Sequence, residues 1–146
     1  MRQFYLAHQL IHRHKVRVIQ KNIEFYYGLT LINPFYDTQR QDIKEIDNGK
    51  QTRFDIEIQR CKEIVLSDLF SIKNCDGVVC IIYDREVLGS YMEIFYAWND
   101  CEIPVYLICY DEKIRNHPWI KTTCYKIFST IEDFEEYIKT NREEMI

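Results

Sequence analysis

Two short runs constrain this chain more than anything else in it: GVVCIIY over 77–83 and VYLICY over 105–110 are apolar throughout, with no polar residue alternating inside them. A strand that faces water on one side alternates polar with apolar, so an unbroken apolar run reads as a strand covered on both faces. Such strands belong to parallel sheets with helices packed above and below. The segment from Tyr91 to about Asn99 has the aromatic and aliphatic content of the connecting helix, and together the three pieces predict a βαβ unit.

The rest of the chain extends that pattern. Phe4–Ala7 reads as a first strand. His14–Tyr27 carries Val16, Ile19, Ile23 and Tyr26 or Tyr27 at helical spacing and ends at Gly28, a natural left-handed stop. Leu29–Asn33 reads as a second strand closed by Pro34, and Lys62–Asn74 as a helix with Ile64, Val65, Leu69 and Ile72 apolar. After Asp84, Arg85 and Glu86 a turn is expected at Leu88 and Gly89. A loop holding Asn116, His117, Pro118 and Trp119 follows the 105–110 strand, then a short strand near Tyr125–Phe128 and a closing helix over Thr130–Lys139. The expectation is an α/β fold: a doubly wound, flavodoxin-like or Rossmann-like, mostly parallel five-stranded sheet flanked by helices. At 146 residues it forms one domain over 1–146. The polar stretch 35–60, with Asp47-Asn48-Gly49, is longer than a routine βα connection and reads as a functional or disordered loop.

Composition narrows the function classes. Nineteen basic against twenty-three acidic residues give a formal charge of −4, which argues against a nucleic acid polymer as partner. No stretch approaches the roughly 18 apolar residues of a membrane span, and MRQFYLAHQLIHRHKV has no long apolar leader core. A cytoplasmic protein without membrane contact is expected. None of the six cysteines forms a CxxC pair, and Cys80 and Cys109 lie inside apolar runs, so all six read as core thiols. His12 and His14 sit two apart and would point to different helix faces, so neither metal nor cofactor is expected.

In a parallel sheet ligands bind beyond the carboxyl ends of the strands. Tyr5, Ala7 and His8 end the first strand, Asn33, Pro34 and Phe35 the second, Asp84 follows the third, and Gly89, Ser90 and Glu93 open the next helix. Asp68 lies in the second turn of the helix expected over 62–74, which runs back antiparallel to the strands and so starts near the same rim. Two readings compete for Ser90 and Glu93. In one, Gly89 allows close backbone approach, Ser90 contacts an anion or hydroxyl, and Glu93 points a carboxylate into the cleft. In the other, Ser90-Tyr91-Met92-Glu93 is a capping box that satisfies free helix N–H groups, as Ser129 and Glu132 also would. The aromatic setting YMEIFYAW favours partial desolvation of Glu93.

Taken together, YLA at 5–7, INP at 32–34, SDLFSIKNCDGVVCII at 67–82 and GSYMEIFYAW at 89–98 resemble the nucleoside 2-deoxyribosyltransferase family, with Tyr5, Asp68, Asp76, Gly89, Ser90, Glu93, Ile94 and Ala97 at the matching positions. The resemblance implies that Glu93 is the nucleophile on the anomeric carbon, that Tyr5 orients it, and that Asp68 binds the sugar hydroxyls. It implies cleavage or transfer at the N-glycosidic bond of a (deoxy)nucleoside or nucleotide, retaining and in two steps, and a homodimer or higher homo-oligomer. The aromatic load of Tyr91, Phe95, Trp98 and Trp119 points to the same assembly. Two positions depart from the family pattern. Val87 stands where transferases carry an aspartate near the base, and His8 stands where a small residue is usual. His8, with Arg13, Lys15 or Arg17, reads either as a phosphate contact or, for the three basic residues, as the solvated face of a helix. The alternative function is a non-catalytic nucleotide-binding module, a sensor or sequestering protein, on the same fold.

Overall fold

A computed structural model describes residues 1–36, 40, 43–44 and 57–146. The strands are β1 (Gln3–His8), β2 (Thr30–Ile32), β3 (Gly77–Ile82), β4 (Val105–Cys109) and β5 (Lys126–Phe128), all parallel in the order β2-β1-β3-β4-β5. The helices are α1 (Arg13–Tyr27), α2 (Ile58–Lys73), α3 (Leu88–Tyr96), α4 (Glu112–Arg115), α5 (Pro118–Thr123), α6 (Ile131–Thr140) and α7 (Arg142–Met145).

The two-residue period of the strands builds two cores. Phe4, Leu6, Val79, Ile81, Tyr106 and Ile108 face α1 and α6, burying Val16, Ile23, Phe134 and Ile138. Tyr5, Ala7, Val78, Cys80, Ile82, Leu107 and Cys109 face the other way, with Ile72 of α2, Ile94 of α3 and Ile120 of α5. Every residue of β3 and β4 is buried, as their unbroken apolar runs require. Two glycines are fixed by geometry. Gly28 ends α1 with φ 74°, and a Cβ on Gly77 would stand 2.9 Å from the Phe4 ring and 3.0 Å from the Pro104 carbonyl. Asp76 staples the opposite, amino-terminal end of the sheet: its carboxylate accepts from the Gln3 N–H at 2.8 Å, and its own N–H donates to Gln3 O.

Several boundaries differ from the pattern-based expectation. The helix before β3 begins at Ile58, not Lys62, because its first turns are polar and exposed and leave no apolar stripe to read. The helix expected from Tyr91 begins at Leu88, with Val87 as its N-cap residue. It gives way at Ala97–Cys101 to a wider π-type turn that closes on Glu102 in the left-handed region. The expected 116–119 loop shrinks to Asn116 and His117 between α4 and α5, His117 capping α5 through Nδ1 and Pro118 taking the first helical position. The cysteines are free thiols; Cys75, Cys80, Cys109 and Cys124 are buried, but Cys61 is exposed on α2 rather than in the core. Most of the long polar stretch, including Asp47-Asn48-Gly49, lies outside the described residues. No helix among the described residues is long and apolar enough to cross a membrane.

Candidate active site

The strand order reverses direction at β1 and β3, and that opens a crevice above their carboxyl ends. Tyr5 sits on β1 opposite Val78, fully buried, with its ring on the α2–α3 side of the sheet. Its hydroxyl donates to Oε2 of Glu93 on α3. This bond and the start of α3 rule out the capping-box reading of Ser90 and Glu93. Because Val87, not Ser90, is the N-cap, α3 begins three residues earlier than a box at Ser90 requires, and Ser90 falls in its first turn. Ser90 is buried beside the Cys80 thiol, whose pKa it lowers against the rise that burial imposes. Glu93 is turned toward the sheet and Tyr5.

The Tyr5 phenol is held well above its ordinary pKa, first by burial and then by the negative charges of Glu93 and Asp68, with Arg40 opposing. It is therefore a neutral donor to a carboxylate. Asp68 stands past the middle of α2 rather than in its second turn, since the helix starts earlier than expected. Its Oδ1 meets the guanidinium of Arg40 at 3.4 Å. Arg40 is 7% exposed and lies over the Phe35 ring. No motif announced it: it sits inside the polar 35–60 stretch, where one arginine among many charged residues carries no periodic signal.

The remaining predicted positions fall into three settings. Ala7 is buried in the sheet core below the crevice, and Gly89 has open space where a Cβ would stand. His8 is buried at the end of β1. One ring nitrogen faces the Gln9 carbonyl at 3.1 Å and the other Asn33 Oδ1 at 3.0 Å, while Phe35 packs edge-on against the ring. Burial pushes the His8 pKa down, against the two hydrogen bonds that raise it. Asn33 also donates to Gln20 and accepts from the Phe35 N–H. Asn33, Pro34 and Asp68 share a polar cavity of about 340 Å³ at the β2 edge with Arg17, Arg40 and Ser67. Arg13, Lys15 and Arg17 of α1 also have local partners: Arg13 with Leu10 O, Lys15 over the Tyr83 ring, Arg17 over Tyr36.

Asp84 closes the crevice on the β3 side. Its Oδ1 accepts from Gln9 Nε2 at 2.9 Å and from the Glu86 N–H at 3.0 Å, and its Oδ2 faces His12 Nε2 at 3.3 Å. The Glu86 N–H first, then Gln9 and His12, hold its pKa below the usual carboxylate range. A larger apolar cavity of about 580 Å³, lined by Tyr91, Ile94, Phe95, Ile114, Trp119 and Ile120, lies between α3, α4 and α5 and includes neither Tyr5 nor Glu93. Among the described residues no group of three or more His, Cys, Asp or Glu side chains is placed to hold a metal ion.

No family model matches the sequence, and comparison with curated proteins finds no similar one. Solved structures do match. A 2-deoxyribosyltransferase from Bacillus psychrosaccharolyticus superposes with a TM-score of 0.65 at 20% identity, over 92% of this chain and 91% of that one. A conserved protein from Enterococcus faecalis V583 gives 0.64 at 16% identity, over 96% and 98%. A 2-desoxiribosyltransferase from Leishmania mexicana gives 0.57 at 12% identity, over 97% and 99%. The chain thus has the nucleoside 2-deoxyribosyltransferase-like fold along nearly its whole length.

Proposed function

We propose that this protein cleaves or transfers at the N-glycosidic bond of a (deoxy)nucleoside or nucleotide, with Glu93 as nucleophile, Tyr5 as the group that orients it and Asp68 as the sugar-hydroxyl ligand. The observation that carries the reading is the Tyr5–Glu93 hydrogen bond, formed by a carboxylate whose spacing alone would have made it a helix cap. Loss of a base builds positive charge on the sugar, and a preorganised carboxylate both stabilises that charge and bonds to the carbon. In the first displacement a Glu93 oxygen bonds to C1′ as the C1′–N pair leaves with the base. In the second, water or an acceptor base takes C1′ and the carboxylate is released, so the configuration is retained.

The helices that carry the site residues leave large apolar side chains exposed in a single copy. Leu66 and Phe70 of α2 and Leu88, Met92 and Phe95 of α3, with Trp98 and Trp119 nearby, are all exposed large hydrophobics. This supports a homodimer or higher homo-oligomer. The basic residues considered for a phosphate have local partners, which supports nucleosides as the first substrates to assay. Incubation with deoxynucleosides and deoxynucleotides, with and without an acceptor base, tests the reading by chromatography. Free base that disappears in Glu93→Gln is the expected result; no release from any substrate overturns it.

A further inference from the structure

An N-glycosidic bond to a nucleobase breaks slowly unless the departing nitrogen heterocycle receives a proton. The position where an aspartate would stand close to the base is Val87, which is 3% exposed and packed into the core behind α3. It can supply none. Asp84 cannot substitute, because the Glu86 N–H, Gln9 and His12 all stabilise its ionised form. The group beside it is the imidazole of His12, in the Leu10–His12 turn between β1 and α1.

We propose that His12, held by Asp84, is the general acid and base of the reaction proposed above. Asp84 and His12 are arranged as a carboxylate–imidazole pair. The carboxylate faces Nε2 at 3.3 Å and holds the N–H there, which leaves Nδ1 to exchange a proton with a ligand. Asp84 is itself clamped: Gln9 Nε2 donates to its Oδ1 and to the Glu86 carbonyl at 2.8 Å, tying β1 to the segment after β3 across the crevice. The Gln9 side-chain oxygen is buried without a hydrogen-bond partner among the described residues. Tyr83 packs edge-on against the imidazole, at 4.8 Å between ring centroids, and is itself stacked with Tyr110.

The proton bookkeeping closes over the two displacements. As Glu93 bonds to C1′, the C1′–N pair passes to the base nitrogen and the His12 Nδ1 proton goes to the base, leaving His12 neutral. When water attacks C1′, the ester pair returns to Glu93 and the water proton goes to His12. An acceptor base serves in place of water by giving up its N–H proton.

This assignment rests on the Glu93 reading, and leaving-group chemistry separates the two. The comparison uses an ordinary purine deoxynucleoside and its N7-methylated cation, whose base departs without needing a proton. For His12→Gln, kcat/KM on the ordinary substrate is expected to fall about 100-fold or more, with the methylated substrate cleaved at the wild-type rate. Asp84→Asn, a positioning change, is expected to shift the same ratio in the same direction, and imidazole should partly rescue His12→Ala. Equal loss on both substrates, or none on either, overturns the role of His12 while leaving Glu93-dependent cleavage standing. Failure of the wild type to cleave either substrate overturns both.

Discussion

Ser90–Glu93 and Ser129–Glu132 carry the same S-x-x-E spacing, and the fold uses them for opposite ends. Around Ser129 the motif does cap a helix, displaced by one residue: Thr130 is the N-cap and its hydroxyl accepts from the Asp133 N–H at 3.2 Å. Around Ser90 it caps nothing. Val87 is drawn into the core, α3 starts there, Ser90 turns to Cys80 and Glu93 reaches Tyr5. Four-residue spacing records what a helix end is able to do. The apolar residue ahead of it, and the strand it packs on, decide what it does.

The widest gap between the two segments should appear in activity. Glu93→Gln is expected to reduce base release by about 10³-fold or more, as loss of a nucleophile or of one electrostatic stabiliser does. Glu132→Gln should leave it unchanged, and a steady-state assay of both variants checks this. Tyr5→Phe removes the donor that orients Glu93 and is expected to cost about 10- to 100-fold in kcat with a smaller change in KM, together with about 1 kcal/mol of stability.

The contrast reverses for stability. Thr130→Ala should cost about 1 kcal/mol in urea unfolding, the usual worth of an N-cap, whereas Ser90→Ala, with no cap to lose, should cost less than half of that. The smallest effect concerns the rim. Burial lowers the His8 pKa from 6.5, so as pH falls below 6.5 the unfolded chain binds a proton that the folded one refuses until lower pH. Stability is therefore expected to fall through that window and level off below the folded pKa, and His8→Gln should flatten the slope in unfolding measured between pH 7 and 5.

Much of this arrangement was legible in the residues alone. The unbroken runs at 77–83 and 105–110 place β3 and β4 in the middle of a parallel sheet because nothing else buries both faces of a strand. Gly28 ended α1 where a left-handed residue was needed. His8, Asn33 and Asp84 follow from strand ends, whereas Tyr5, expected at the end of the first strand, lies in the middle of β1, and Glu93 lies on α3. What escaped depends on contacts between distant segments. Periodicity does not show that Val87 rather than Ser90 starts a helix, because that choice is made by packing on Cys80, Ile82 and their neighbours. Arg40 beside Asp68 and His12 beside Asp84 are likewise products of chain reversal, not of spacing.

The most direct measurement uses a 2′-fluorinated nucleoside, whose electron-poor sugar slows the second displacement, followed by intact-mass and peptide analysis. Wild-type protein should gain the mass of one fluorinated sugar on the peptide containing Glu93, with release of one equivalent of base, and Glu93→Gln should gain none. Base release with no adduct on that peptide, or an adduct on a different side chain, would contradict the assignment of Glu93 as the nucleophile.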